Sequence, residues 1–294
     1  MSTFVIIANP TSGSKGAPAL ATRAVELLRE RGHAAELRLT AAGGDARKFA
    51  AAALAQNAAA VVACGGDGTL QEVASALDGS QTPMGILPGG RCNDFARAVG
   101  LSRKDSPGRL VDVLLSARTR AIDLGAWGSK RFLTVATLGF DSEVSRFVET
   151  NKLWLKGTPS YLYSALRVLR SYKFPVVRLK GDFPTIEGRL LLAATANSSC
   201  YGGAMKIAPD AKVDDGLFHL CVVDKVGKLT VLRILPRVLS GTHTRHPAVR
   251  ILTTKFVEIE TPEAPQWICA DGESLGQTPA RFDIRPGALK VLAP

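Results

Sequence analysis

Short apolar runs rich in β-branched residues alternate with alanine- and leucine-rich stretches over the first 122 residues. The apolar runs predict strands at 4–8, 36–39, 61–63 and 84–87. Small and apolar residues between them recur at a spacing of three to four and predict helices at 17–31, 45–56, 69–77 and 93–99. Alternating strands and helices form a parallel sheet covered by helices. The pattern therefore predicts an α/β domain at 1–122.

After residue 122 the pattern changes, because strand-like runs follow one another with few helical stretches between them. The predicted strands are 131–137, 176–180, 189–196, 218–223, 249–252, 256–260 and 267–270, and helices are predicted near 161–171 and 228–239. Successive strands joined by turns form antiparallel sheets. We expect a β-sandwich domain at 123–294, and residues 285–294 are candidates to pack back on the first domain.

The balance of charge favours an anionic partner. Lys and Arg number 37 against 26 Asp and Glu, which gives a formal net charge of +11. The excess is concentrated in residues 146–180 and 225–257, where apolar residues are interleaved with the basic ones. Basic amphipathic helices adsorb to anionic membranes. We therefore expect peripheral membrane contact through these two segments, and solvated helix faces are the alternative.

Cysteine usage and the lack of targeting signals favour the cytoplasm. The five cysteines are widely spaced and include no C-x-x-C pair, which argues against a disulfide framework or a zinc site. The sequence carries no secretion signal and no apolar run near the roughly 18 residues that span a bilayer. We expect a cytoplasmic protein. The membrane contact inferred from the basic segments would place it peripherally at the inner face of the membrane. Nucleic-acid-binding signatures are absent, so no nucleic acid partner is expected, and a homodimer is left open.

The strongest local motif is Gly65-Gly66-Asp67-Gly68-Thr69, which follows a predicted strand and opens a predicted helix. Glycines at such a junction let backbone N–H groups approach an anion, and the helix N-terminus adds partial positive charge. Phosphate is the natural ligand. Asp67 would repel a bare phosphate, so its presence favours a bridging cation such as Mg²⁺.

Two further loops follow predicted strands of the same sheet. One is Asn9-Pro10-Thr11-Ser12-Gly13-Ser14-Lys15-Gly16, and the other contains Arg91, Asn93 and Asp94. Hydroxyls, glycines and Lys15 can meet phosphate oxygens. Loops at the carboxyl ends of parallel strands converge on one crevice. The three loops together predict one nucleotide site that includes Asn9, Ser12, Lys15, Arg91 and Asn93.

These motifs, together with Glu72-Val73, Tyr201-Gly202-Gly203, Pro209, Asp215-Gly216 and Asp271-Gly272-Glu273, resemble the diacylglycerol kinase catalytic family. That family includes bacterial lipid kinases and sphingosine kinases. The match runs in order across nearly the whole chain, whereas the Gly-Gly-Asp-Gly-Thr element alone would also fit NAD kinases and phosphofructokinases. The resemblance implies a Rossmann-like nucleotide-binding domain of the NAD kinase and diacylglycerol kinase type, a carboxyl-terminal antiparallel β-sandwich and an active site in the cleft between them.

The resemblance also implies roles for individual residues. Glu273 matches the general base, and Asp67 and Asp94 match the catalytic acids near metal and phosphates. The positions that resemble the ATP-binding residues are Thr40, Gly65, Gly66, Asp67, Gly68, Thr69, Leu70 and Gln71. A second, structural Mg²⁺ site would use Lys212, Asp215 and Leu217, although Asp214 to Gly216 is equally a plain β-turn.

The resemblance implies a kinase that uses ATP and Mg²⁺ to phosphorylate a hydroxyl of a diacylglycerol-like lipid. Gly89 and Arg91 stand where the family usually has Leu and Thr, and Gln71 stands where Asn is usual. These departures bear on nucleotide choice and substrate class more than on fold. The alternatives are a kinase of another lipid, sphingoid or related, a kinase of a soluble hydroxyl compound, and a non-catalytic nucleotide-sensing regulator.

Overall fold

The amino-terminal part of the chain is a parallel sheet packed against helices, in a computed structural model that describes residues 3–151, 158–203 and 205–294. The strand order is β2-β1-β3-β4. The strands are β1 Phe4–Ala8, β2 Ala35–Leu39, β3 Ala60–Gly65 and β4 Met84–Pro88, and the helices are α1 Gly16–Glu30, α2 Asp45–Ala55, α3 Asp67–Leu77, α4 Asp94–Ala98 and α5 Pro107–Leu115. Every residue of β1, β3 and β4 is buried, as expected for central strands covered on both faces.

The rest of the chain forms two sheets that share one long strand, β9. The strands are β5 Thr119–Trp127, β6 Lys130–Phe132, β7 Val135–Gly139, β8 Val176–Gly181, β9 Phe183–Ala196, β10 Phe218–Asp224, β11 Val249–Thr254, β12 Phe256–Glu260, β13 Trp267–Ala270, β14 Glu273–Gln277 and β15 Ala280–Leu292. The helices are α6 Phe140–Thr150, α7 Thr158–Ser171 and α8 Lys228–Ser240. One sheet has the antiparallel order β14-β13-β7-β9-β10-β11. The predicted fold class, α/β followed by an antiparallel sandwich, is confirmed.

The sandwich encloses an aromatic core. The Phe132 ring stacks on Phe218 with centroids 5.7 Å apart and meets Phe282 edge-on at 5.6 Å. These three rings come from β6, β10 and β15, so their burial ties both sheets together. A second apolar cluster lies beneath α6, α7 and α8.

The last strand, β15, connects the two parts. Its first half pairs with β12, and its end pairs with β4 in parallel, with Val291 opposite Met84. Leu289, Val291 and Leu292 are buried in the core of the amino-terminal part. Strand β5 pairs along most of β15 and runs across residue 122, so the domain boundary there stays a prediction.

The predicted strand at 131–137 is wrong in one respect, because the structure breaks it into β6 and β7. The backbone N–H groups of Leu133 and Thr134 donate to the Asp271 carboxylate at 2.7 and 2.8 Å instead of to a neighbouring strand. A buried backbone donor needs a partner, and here a side chain supplies it. Helices α5 and α6 were not predicted from the sequence.

Candidate active site

Three glycine-bearing loops pack backbone against backbone where β1, β3 and β4 end. A Cβ atom on Gly90 would lie 2.2 Å from Gly66 Cα, and one on Gly13 would lie 1.8 Å from the Gly89 carbonyl oxygen. Contacts this short leave room for glycine alone. The glycines therefore bring the three loops together at the carboxyl edge of the sheet, as expected for ligand sites in open parallel sheets.

A cavity of about 440 Å³ opens beside these loops and the N-terminus of α3. It is lined by Asn9, Thr11, Ser12, Thr40, Ala41, Ala42, Gly43, Ala46, Gly66, Gly68, Thr69, Glu72 and Glu273. Six of these were predicted to bind nucleotide: Asn9, Ser12, Thr40, Gly66, Gly68 and Thr69. Helix α3 begins at Asp67, and its N-terminus offers backbone N–H groups and partial positive charge. The cavity is suited to an anion such as a phosphate chain.

Other predicted nucleotide residues lie elsewhere. Leu70 is fully buried in the amino-terminal core, and the Gln71 side-chain amide donates to the Arg131 carbonyl oxygen at 2.6 Å. The Asn93 side chain bonds to both backbone groups of Gly90: Oδ1 accepts the Gly90 N–H at 3.0 Å, and Nδ2 donates to the Gly90 carbonyl oxygen at 2.8 Å. Arg91 is exposed and does not line this cavity. The Asn93 side chain thus supports its own loop, and the Gln71 side chain ties α3 to the second half of the chain.

Three of the predicted residues remain, and one of them, Asp67, lines a neighbouring cavity. A Cβ on Gly65 would lie 2.6 Å from Thr69 Oγ1, so this glycine lets the loop close on the start of α3. The side chain of Lys15 lies outside the described part of the chain.

Asp67, Asp94 and Asp271 gather around a smaller neighbouring cavity of about 130 Å³. Burial and the nearby charges of Asp94 and Asp271 raise the pKa of Asp67 to about 6, although backbone N–H groups of Phe95 and Asp94 oppose the shift. A carboxylate held close to other acids at low dielectric is suited to a divalent cation. Among the described residues, no cluster of three acidic, histidine or cysteine side chains is arranged to hold a metal. Mg²⁺ in kinases needs only one or two carboxylates, because substrate phosphates supply further oxygens, so Asp67 fits that ion.

Asp94 is engaged on both carboxylate oxygens. Oδ2 accepts the backbone N–H of Gly203 at 2.8 Å, and Oδ1 accepts the Arg97 guanidinium. The first contact joins α4 to the loop at 201–203 of the sandwich. Asp94 therefore holds the two halves of the cleft together.

Asp271 was not predicted as a site residue. It sits in the left-handed region at φ +51°, and its carboxylate accepts the N–H groups of Leu133 and Thr134 and the Thr134 hydroxyl, the last at 2.5 Å. These bonds fix the turn between β13 and β14. Since β14 begins at Glu273, Asp271 positions that carboxylate. The adjacent Asp-Gly pair was the sequence signal for such a turn.

Glu273 lies across the cleft from the glycine-rich loop. A Cβ on Gly68 would lie 2.9 Å from Glu273 Oε1, so glycine leaves room for the carboxylate at the first turn of α3. Partial desolvation by the surrounding cleft is the main cause that raises the pKa of Glu273, although the residue stays open to solvent, and the charges of Glu72 and Asp271 add to it. Glu72 itself accepts the Gly44 N–H at 2.8 Å. A carboxylate with a raised pKa at the edge of an anion cavity is suited to accept a proton.

The residues predicted for a second metal have other partners. Asp215 accepts the Leu217 N–H at 3.0 Å through Oδ1 and meets His219 Nε2 at 2.9 Å through Oδ2. Nearby Asp123 accepts the N–H groups of Gly216 and Gly287, each at 2.7 Å. Each oxygen of the Asp215 carboxylate thus has one hydrogen-bond partner, and the metal site at Lys212, Asp215 and Leu217 stays a prediction.

Asp67→Asn is expected to stabilise the fold near neutral pH. A carboxyl whose folded pKa is raised binds its proton more tightly in the folded state, so its ionisation costs stability as pH rises from about 4 to about 6. At pH 7.5 the asparagine variant should unfold at a higher temperature, and its free energy of unfolding should be higher by up to about 3 kcal/mol; the gain should vanish near pH 4. Thermal unfolding across this pH range measures it. A gain that did not depend on pH would contradict the assigned cause.

Comparison with known proteins agrees with this architecture. The family profile described as "Diacylglycerol kinase catalytic domain" matches residues 3–127, and the one described as "YegS C-terminal NAD kinase beta sandwich-like domain" matches residues 134–293. A diacylglycerol kinase of Mycobacterium tuberculosis is 33% identical over 98% of this chain and 94% of its own length. A Pseudomonas aeruginosa protein named "Probable lipid kinase YegS-like" is 35% identical over 92% of this chain and 88% of its own length.

The fold comparison agrees with these relatives. A crystal structure of a diacylglycerol kinase from Bacillus anthracis superposes with a TM-score of 0.76 at 21% identity, covering 100% of this chain and 97% of the other.

Fold and relatives together define an enzyme of the kinase class that transfers phosphate to an alcohol group. The chain belongs to the diacylglycerol kinase family of lipid kinases. The family resemblance predicted from the sequence is thereby confirmed.

Proposed function

We propose that the protein transfers the γ-phosphoryl group of ATP to a hydroxyl of a diacylglycerol-like lipid, with Mg²⁺ as cofactor. The observation that carries this proposal is the position of Glu273. Its carboxylate borders the cavity of about 440 Å³ beside Gly68, and Asp67, which precedes Gly68 on α3, borders the smaller cavity next to it. Glu273, the candidate base, thus lies between the cavity suited to a phosphate chain and the smaller cavity.

Different groups of the protein would carry out the separate tasks of phosphoryl transfer. The glycine-rich loops and the N-terminus of α3 would bind the phosphate chain through backbone N–H groups. Glu273 would accept the proton of the acceptor hydroxyl as its oxygen attacks the γ-phosphorus, and the leaving oxygen would remain on ADP. Asp94 and Asp271 would act as positioning residues. Mg²⁺, when held by Asp67, would neutralise phosphate charge.

The smaller cavity is the candidate acceptor site. Its walls come from both halves of the chain and combine polar groups such as Thr137 and Asp141 with the apolar atoms of Tyr201, Met205 and Cys269. About 130 Å³ admits a small hydroxyl-bearing group rather than whole acyl chains. This supports a lipid that presents its hydroxyl while its chains remain outside. The choice of a diacylglycerol rests on the activity named for the relatives.

Membrane contact through residues 146–180 and 225–257 belongs to the same proposal. Exposed apolar side chains on α7 and α8 support it, including Leu166 at 47%, Leu229 at 73% and Leu239 at 58% exposure. Residues 152–157 of the first segment lie outside the described residues. No described helix is both long and apolar enough to cross a bilayer. A homodimer stays a prediction.

Incubation with Mg²⁺, γ-labelled ATP and a total lipid extract is expected to give a labelled lipid. Separation of the organic phase by thin-layer chromatography measures this transfer, and heat-inactivated protein is the control. A soluble acceptor, as in NAD kinases, would instead give a labelled aqueous product that is neither ATP nor inorganic phosphate, without dependence on vesicles. The absence of any labelled product in either phase would favour the non-catalytic regulator.

A further inference from the structure

Helix α3 is tied to the second half of the chain at its carboxyl end, away from the candidate active site. Asp78 follows the last residue of α3, and each of its carboxylate oxygens accepts one guanidinium, from Arg131 at 2.7 Å and from Arg285 at 2.9 Å. Arg131 belongs to β6 and Arg285 to β15. These three residues form the Asp78 clamp. No step of the proposed reaction uses them.

The clamp is largely shielded from solvent where Asp78 meets Arg131. The side chains of these two residues are 11% and 16% exposed, whereas that of Arg285 is 45% exposed. Salt screens shielded ion pairs much less than surface pairs. Removing one partner of a shielded pair is costly, because it leaves the other charge without a counter-charge. We therefore expect the contact between Asp78 and Arg131 to persist in solution.

Arg131 is held through its backbone as well as its guanidinium. Its Nη1 donates to the Gly128 and Lys130 carbonyl oxygens at 2.8 and 2.9 Å, and its own carbonyl oxygen accepts the Gln71 side-chain amide at 2.6 Å. Gln71 and Asp78 lie about two helical turns apart, so β6 contacts α3 at two points along its length. Two points of contact fix the direction of a helix axis as well as its position.

Strand β6 also leads to the candidate base. Arg131 is followed by Phe132 of the aromatic core and then by the two backbone N–H groups that donate to Asp271. Asp271 fixes the turn that places Glu273 beside Gly68, in the first turn of α3. A continuous path of contacts therefore runs from the carboxyl end of α3 through β6 to Glu273.

We propose that the Asp78 clamp positions Glu273 for phosphoryl transfer, without itself touching a substrate. Helix α3 carries the glycine-rich loop at its amino end, and β6 carries the groups that support the base. The angle between α3 and β6 thus decides whether a bound γ-phosphate and the Glu273 carboxylate face each other. Phosphoryl transfer depends mostly on such alignment and on charge stabilisation. The inference rests on the proposed function and assigns part of its geometry to residues outside the cleft.

Asp78→Asn tests the clamp with almost no change of shape. Asparagine keeps an oxygen for one guanidinium but presents its NH₂ group to the other, and two donors cannot bond. We expect kcat to fall about 10- to 100-fold, the effect of a displacement of about 1 Å, while KM for ATP changes little. In the Glu273→Gln background the same substitution should cost less than about threefold, because misplacing the base has little effect once the base is gone.

Hydrogen exchange gives a second measurement that needs no catalysis. In Asp78→Asn the amide protons of Leu133 and Thr134, which donate to Asp271, should exchange about fivefold faster. Both measurements are made at a temperature at which thermal unfolding shows the variant to be folded. Arg285→Gln removes only the more exposed partner and is the milder second variant, with an expected loss in kcat of about threefold.

Asp105→Asn is the matched control. The Asp105 side chain is 10% exposed and pairs with Arg109 at 3.2 Å, and neither residue lines the cavities beside Glu273. This variant should keep the kcat of the wild type and the slow exchange of Leu133 and Thr134.

Three results would overturn the proposal: unchanged kcat or exchange in Asp78→Asn, a full additional loss in the Glu273→Gln background, or an equal loss in Asp105→Asn. If the wild type phosphorylates no lipid while Asp78→Asn still speeds the exchange, the proposed function is wrong and the link from the clamp to Glu273 is unaffected.

Discussion

Glu273→Gln is expected to lower turnover about 10²- to 10⁴-fold, the range that a positioned general base contributes. Glutamine keeps the shape and the fit against Gly68 but cannot accept a proton. Nucleotide affinity should change little, because the phosphate-binding groups are backbone N–H groups of the glycine loops. Steady-state kinetics together with nucleotide titration separate the two effects.

The pH dependence gives this prediction a second readout. A base works only when ionised, so the raised pKa of Glu273 should move the acid limb of kcat/KM above the pH at which an ordinary glutamate ionises. Glu263→Gln makes the same change at an exposed residue paired with Arg189 and should leave rate and pH profile unchanged. Wild-type turnover in Glu273→Gln would remove Glu273 as the base.

Gly90→Ala is expected to disrupt the loop cluster and to abolish nucleotide binding. The added Cβ would stand 2.2 Å from Gly66 Cα and 2.9 Å from Gly66 N, and neither backbone atom can move without shifting the glycine-rich loop. The free energy of unfolding should fall by at least about 2 kcal/mol. Denaturant unfolding measures the loss, and nucleotide titration of the folded fraction tests the site.

Gly108→Ala is the matched control for this prediction. This glycine lies in the first turn of α5, and a Cβ there would come no closer than 4.0 Å to the Ser106 hydroxyl. Alanine in a helix should stabilise the protein slightly, by about 0.5 to 1 kcal/mol. If Gly90→Ala matched Gly108→Ala in stability and nucleotide affinity, close packing of the three loops could not be what forms the site.

The sequence predicted the amino-terminal sheet well because its signals are local. β1 begins and ends as predicted, and the predicted helix at 17–31 is shifted by one residue relative to α1, since periodicity and glycine punctuation are written into neighbouring residues. The return of β15 to β4 joins positions some two hundred residues apart. Packing of residues 285–294 on the first domain was expected, but no local pattern encodes the pairing of β15 with β4.

In the candidate site, too, local sequence signals were predictive and long-range contacts were not. The family resemblance groups Leu70 and Gln71 with Gly68, whereas the structure places Leu70 in the core and lets the Gln71 amide donate to the Arg131 carbonyl oxygen. The role of Asp271 depends on N–H groups of Leu133 and Thr134, far away in sequence. The same hydrogen bonds break the predicted strand at 131–137. One long-range contact therefore explains both why that strand is interrupted and why Asp271 was not predicted as a site residue.

The central claim is that this chain phosphorylates a lipid hydroxyl with Glu273 as base, and mass spectrometry of the product tests it most directly. Purified protein with Mg²⁺-ATP and a defined diacylglycerol in mixed micelles should yield the lipid phosphomonoester and ADP in equal amounts, and Glu273→Gln should yield almost none. ADP without a phosphorylated lipid, or equal product from both proteins, would contradict the account.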